Sequence, residues 1–111
     1  MTFNIKSNEL IHKIVFQRYE LLKDSDGKPT YIWTDLYETR GKVLNVRGRE
    51  YIQAFGTGLS IGKTIYVRYN HTHHITNEDR ILYNNEIYNI VYVNNVEESN
   101  KWLEIKVDKY K

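Results

Sequence analysis

Two short stretches carry residue types that could do chemistry. The first is "GTGLSIGKT", Gly56 to Thr64. A phosphate-cradling loop needs a glycine, four residues and then Gly-Lys-Ser/Thr, so that backbone amides and a helix N-terminus meet the anion. Counting back from Gly62, the required glycine falls on Thr57, with Gly58 one place too near and Gly56 one too far. The second stretch is "HTHH", with His71, His73 and His74. Three imidazoles, with Glu78 or Asp79 as an oxygen ligand, supply donor types suited to zinc or nickel. A loop holding every ligand locally lacks the outer hydrogen bonds that orient ligands in metal sites. The plain reading is an exposed loop. No catalytic pair or triad can be assembled elsewhere, so the expectation is a chain without enzymatic activity or cofactor.

The surrounding elements are mostly strands. "KTIYVRY" alternates strictly, with Ile65, Val67 and Tyr69 on one face and Tyr66 and Arg68 on the other. Lys63 and Thr64 therefore open a strand rather than a helix, and the phosphate-loop reading fails on context as well as spacing. "IHKIVFQRYELL" reads as a strand around Ile14, Phe16 and Arg18. Asp26-Gly27 then signals a hairpin whose return begins near Thr30, runs through "YIWTDLYE", and leads to core candidates Val43, Leu44 and Val46. A second hairpin turns at Asn84-Asn85, because Asn tolerates the left-handed conformation a tight turn demands. After "ESN", the last strand points Leu103, Ile105 and Val107 inward and Glu104, Lys106 and Asp108 to water. One stretch breaks the alternation. In "RGREYIQAF", Tyr51, Ala54 and Phe55 stand at i, i+3, i+4, which predicts one or two helical turns ended by Gly56 and Gly58. Residues 1–10 read as a flexible polar lead-in to a single domain over residues 11–111.

Composition narrows the partners. A chain of 111 residues supports one domain with a modest core. Its formal charge of +2 comes from 16 basic and 14 acidic side chains without a basic block, unlike a dedicated nucleic-acid binder. There is no cysteine for a disulfide, and no apolar run long enough for a membrane span or signal-peptide core. Ten tyrosines raise the aromatic fraction to 14%. Tyr19, Tyr31, Trp33, Tyr37, Tyr66, Tyr69, Tyr83, Tyr88, Tyr92 and Trp102 could form a base-stacking platform on a small oligonucleotide-binding barrel. The competing reading, core and subunit interface, fits the near-neutral charge better. Once the core is filled, no sustained apolar stripe is expected to remain, and the free chain is expected to be monomeric.

In their order, these pieces resemble the head-closure proteins of tailed bacteriophages, also called head–tail joining proteins, head–tail adaptors or stoppers. The resemblance rests on "IVFQR", on the hairpin with Asp26-Gly27, Tyr31, Trp33 and Asp35, and on "GREYIQA". It extends through "IYVRY" and "RILYNNEIYNI" and covers about Ile11 to Val107. It implies a small antiparallel β-barrel with one short helix or long loop inserted between strands. It also implies a ring, a dodecamer on assembly, beneath the portal and adaptor proteins, which closes the DNA-filled head and receives a tail-completion protein. Double-stranded DNA would pass through without specific binding. The place implied is the virion head–tail interface, after assembly in the host cytoplasm. Carried onto this sequence, the segment that gates or lines the channel is Asn45 to Ile61, with Arg47, Arg49, Glu50, Tyr51, Gln53 and Phe55.

Overall fold

The computed structural model describes residues 3–45 and 62–109. Six strands account for most of them: β1 (His12–Lys23), β2 (Pro29–Asn45), β3 (Lys63–Arg68), β4 (Arg80–Tyr83), β5 (Glu86–Asn95) and β6 (Trp102–Lys109). They close an antiparallel barrel in the order β1-β2-β3-β6-β5-β4. The only helical pieces among the described residues are 3-10 turns at Ser7–Glu9 and Val96–Glu98. The helical turns expected around Tyr51, Ala54 and Phe55, the core candidate Val46, and all six proposed gate residues lie outside the described residues.

Local chemistry explains the turns. Asn84 and Asn85 take φ of 52° and 62°, as a two-residue hairpin with the primed twist demands. Gly27 takes φ of 78° between β1 and β2, where Asp24 Oδ1 accepts from the amides of Asp26 and Lys28. The last connection uses three left-handed residues, Glu97, Glu98 and Asn100, and Asn95 pins it: its Nδ2 donates to Asn100 Oδ1 and its Oδ1 accepts from the Asn100 backbone amide.

The core is the barrel interior. Ile14, Phe16, Ile65, Val67, Ile81, Ile105 and Val107 are fully buried, on the inward positions that the alternation marks. Val43 packs against them from the edge, whereas Leu44 faces outward and is 43% exposed. Gly41 is required by packing, since a Cβ there would stand 2.9 Å from the Tyr66 carbonyl oxygen and 3.0 Å from side-chain carbons of Ile14 and Val67. Residues 3–10 are held against the barrel wall. Ile5 is buried, Phe3 packs on Tyr66 at 5.3 Å, and Glu9 pairs with Lys42 at 2.7 Å, which holds the Glu9 carboxyl below its usual range.

The seams differ in length. β3 and β6 pair over six positions, but β1 and β4 pair only through Val15–Gln17. Beyond Gln17, β1 has no strand neighbour but β2 among the described residues, and β2 meets β3 only from Gly41 to Asn45. Tyr19–Lys23 and Pro29–Trp33 therefore leave the barrel as a two-stranded ribbon, joined by the turn at Gly27. The opposite end carries the β4–β5 turn and the points where residues 46–61 depart and return. There Asn45 pairs with Lys63 in the ladder, and the Gly62 amide donates to the Val107 carbonyl.

Candidate functional site

The ribbon is the most distinctive surface among the described residues. On one face Tyr19 pairs with Trp33 and Leu21 with Tyr31, so four large apolar side chains stand together. Tyr19 stacks on Trp33 at 5.2 Å and tilts against Tyr31 at 5.3 Å. The Arg80 guanidinium lies over the Trp33 ring at 4.2 Å, while its Nε donates to Gln17 Oε1. Gln17 in turn donates to Asp35, which completes a polar base for the apolar face. Tyr19, Leu21, Leu22, Tyr31 and Ile32 are all more than 40% exposed. The expectation that filling the barrel leaves no apolar stripe is overturned here. β4 is only four residues long, so no strand among the described residues covers the outer half of the β1–β2 hairpin.

Beneath the ribbon, Arg18 holds the connection between β3 and β4. Its Nε and Nη2 donate to the two oxygens of Asp79 at 2.9 and 3.0 Å, and Nη2 also donates to the His74 carbonyl. Asp79 is buried and additionally accepts from the Thr76 amide at 2.9 Å. This paired geometry raises the Arg18 pKa above its ordinary value. Arg18 falls on the inward register of β1 after Ile14 and Phe16, and that register is the one sequence signal that marks it as more than a surface charge.

The three histidines divide between two tyrosines. His71 and His74 sit edge-on to Tyr69 at 4.7 and 6.3 Å, whereas His73 stacks on Tyr37 at 5.4 Å. Both oxygens of Asp79 are engaged by Arg18, and no group of three His, Asp or Glu among the described residues is arranged to hold a metal ion. Lys63, the lysine of the apparent phosphate motif, opens β3, and its Nζ donates to Asn45 Oδ1.

The aromatic set divides in the same way. Tyr88 belongs to the barrel core and Tyr37 packs against it; burial pushes each phenol up to about 12, with Asp79 adding to the effect at Tyr37 and Glu86 at Tyr88. Tyr69 and Tyr83 pack against that interior from its rim. Tyr66 and Trp102 lie on the outer wall: Tyr66 donates to Glu104, and Trp102 is buried beneath Arg68. Tyr92 stands exposed. Only Tyr19, Tyr31 and Trp33 form an open cluster. A second feature lies at the opposite end of β1, a cleft of about 520 Å³ that mixes apolar Ile11, Val15, Leu82 and Tyr83 with polar His12, Lys13, Asn84 and Asn85.

Comparison with known proteins agrees with this architecture. A protein of Shigella flexneri 2a, solved in solution, superposes with a TM-score of 0.70 at 23% identity, over 95% of this chain and 96% of that one. A chain from the virion of a native gene transfer agent particle superposes with a TM-score of 0.57 at 15% identity, over 88% of this chain and 93% of that one. At these identities both likenesses speak for the fold. No curated protein matches the sequence. The family model for phage head completion proteins matches residues 5–109, which span the whole barrel and most of the segment before it. The chain belongs to the phage head completion protein family.

Proposed function

We propose that this protein is a structural, non-enzymatic virion subunit. In this reading it assembles as a ring beneath the portal and adaptor, closes the DNA-filled head and offers the surface to which the tail attaches. The observation that carries the proposal is the family match across the entire barrel. The likeness to a gene transfer agent virion chain supports it at the level of fold. The geometry is compatible in a specific way. The polar clusters among the described residues brace the fold: Arg18–Asp79 anchors a loop, Lys42–Glu9 docks the lead-in, and Lys109–Glu86 ties β6 to β5. A formal charge of +2 with both signs interspersed suits a conduit, because each phosphate neutralised by a cation adds affinity that would retard DNA movement.

Asn45 to Ile61, which leads from β2 toward β3, is the segment we assign to the channel. Arg47, Arg49, Glu50, Tyr51, Gln53 and Phe55 would face the passing DNA or close the path behind it. The partners are the portal or adaptor on one side and a tail-completion protein on the other.

The experiment is electron microscopy of particles from a strain lacking this gene. Heads that leak DNA beside free, unattached tails are the expected result. Normal tailed virions would overturn the proposal.

A further inference from the structure

We infer that the apolar ribbon of one copy docks on the cleft at the opposite end of β1 in the next copy, and that this repeated contact builds the ring. The inference rests on the ring reading above and names the surfaces that would make it.

The ribbon face of Tyr19, Leu21, Tyr31 and Trp33 carries one charge at its base, the Arg80 guanidinium over Trp33, and its edges lack strand partners among the described residues. A two-stranded ribbon is only marginally stable in water, and an open edge beside exposed aromatics is a template for association. The cleft offers a mixed surface suited to tyrosine: Ile11, Val15, Leu82 and Tyr83 supply apolar contact, His12 sits edge-on to Tyr83 at 5.4 Å, Asn84 and Asn85 supply amides, and Lys13 is already paired with Glu38 at 3.4 Å. The two formal cations beside these surfaces are engaged within their own copy, Arg80 by Trp33 and Gln17 and Lys13 by Glu38. A copy cannot fill its own cleft. Tyr19 and Ile11 lie eight residues apart on extended chain, which is roughly 26 Å at strand rise.

Symmetry selects the mode of pairing. Ribbon against ribbon would form a closed dimer and leave the cleft empty. Ribbon against cleft joins unlike surfaces, and such a contact repeats from copy to copy, closing a ring where the rotation between neighbours returns on itself and running on as a filament where it does not. Area sets the strength. The exposed ribbon side chains offer roughly 500 Å² of apolar surface, below the ~800 Å² per partner of a stable standard interface. One such contact is weak in dilute solution. Within a ring every copy makes it twice, and neighbouring virion proteins hold the copies at high local concentration.

The absence of cysteine makes the test direct. Ile11→Cys and Tyr31→Cys are introduced singly and together, and tailed particles carrying each variant are purified, oxidised and run on non-reducing gels. The expected result is a ladder of dimer, trimer and higher species from the double variant, and monomer from either single one. Dimers from Tyr31→Cys alone would show ribbon meeting ribbon and overturn the inference. So would a lack of ladder in particles whose protein content shows several copies per head. One copy per head would overturn the ring reading itself. As an independent readout, Leu21→Ser with Tyr31→Ser should keep the melting temperature of the free protein within a few degrees and lower incorporation into particles at least tenfold. Undiminished incorporation refutes the inference. Quenching of Trp33 fluorescence by single-stranded DNA at moderate salt, lost in this variant, would reassign the ribbon to nucleic-acid stacking and overturn it as well.

Discussion

The Arg18–Asp79 pair makes an asymmetric prediction. The Asp79 side chain is 2% exposed, whereas that of Arg18 is 35% exposed. Arg18→Met keeps most of the aliphatic stem but strands a buried carboxylate with only the Thr76 amide for company. A charge left unpaired in a buried site costs about 3–5 kcal/mol. Partial solvent access through the Arg18 side reduces that to about 2–4 kcal/mol. Asp79→Asn differs in kind. The amide oxygen still accepts from Thr76, and the guanidinium, already a third exposed, recovers water, so the loss is about 1–2 kcal/mol. Urea unfolding followed through Trp33 and Trp102 fluorescence reads both. With a slope of about 1–3 kcal/mol/M, the midpoints should fall by resolvable and unequal steps. The order is the critical result. An Asp79→Asn variant that costs as much as Arg18→Met would refute the reasoning, because burial would then not decide which partner suffers. Losses below about 0.5 kcal/mol in both would reduce the pair to an ordinary surface contact.

Two further outcomes follow from the interior. Tyr37→Phe should stabilise the fold by about 1 kcal/mol, because its buried hydroxyl has no hydrogen-bond partner among the described residues. Its phenol is raised, so the neutral form is favoured on folding; that contribution is present below about pH 10 and lost as pH rises toward 12. The advantage of Tyr37→Phe should therefore widen over that window in alkaline unfolding curves, and a destabilised variant would show that the hydroxyl is satisfied. Gly41→Ala should cost about 1–3 kcal/mol in the same urea assay, since the Tyr66 carbonyl at 2.9 Å is backbone and cannot swing aside. An unchanged midpoint would mean that β2 and β3 separate locally without penalty.

Much of the fold was legible because local rules suffice for it. Strict alternation in β3 and β6 puts Ile65, Val67, Leu103, Ile105 and Val107 inside, and Asn84-Asn85 turns with both residues at positive φ. The end of the sheet was not legible. Tyr19, Leu21 and Tyr31 alternate like core residues, and the shortness of β4, far along the chain, leaves them exposed among the described residues. Closure is equally non-local, since it depends on three pairs between Val15–Gln17 and Arg80–Leu82. Trp102 illustrates the opposite failure. Its register points outward, yet it is buried, because Arg68 lies across it and in turn meets Ser7 of the lead-in at 3.4 Å. The histidines looked like a ligand set in sequence because proximity in a loop says nothing of direction. Tyr69 and Tyr37 draw the rings to different neighbours.

The short seam and the ribbon then belong to one physical problem. A barrel is as closed as its weakest ladder, and here three residue pairs join β1 to β4, beside the cleft of Ile11, Val15, Leu82 and Tyr83. The same brevity of β4 that weakens the seam also exposes the ribbon, so one feature of the chain creates both the adhesive surface and the place that most gains from being covered. A neighbour seated in the cleft would bridge β1 and β4 from outside and add apolar contacts where the ladder supplies few hydrogen bonds. In the assembly proposed above, contact energy and fold stability would rise together, so an isolated copy would fold without holding its neighbours. A longer β4 would remove the need for the neighbour. It would also cover the ribbon that recruits one.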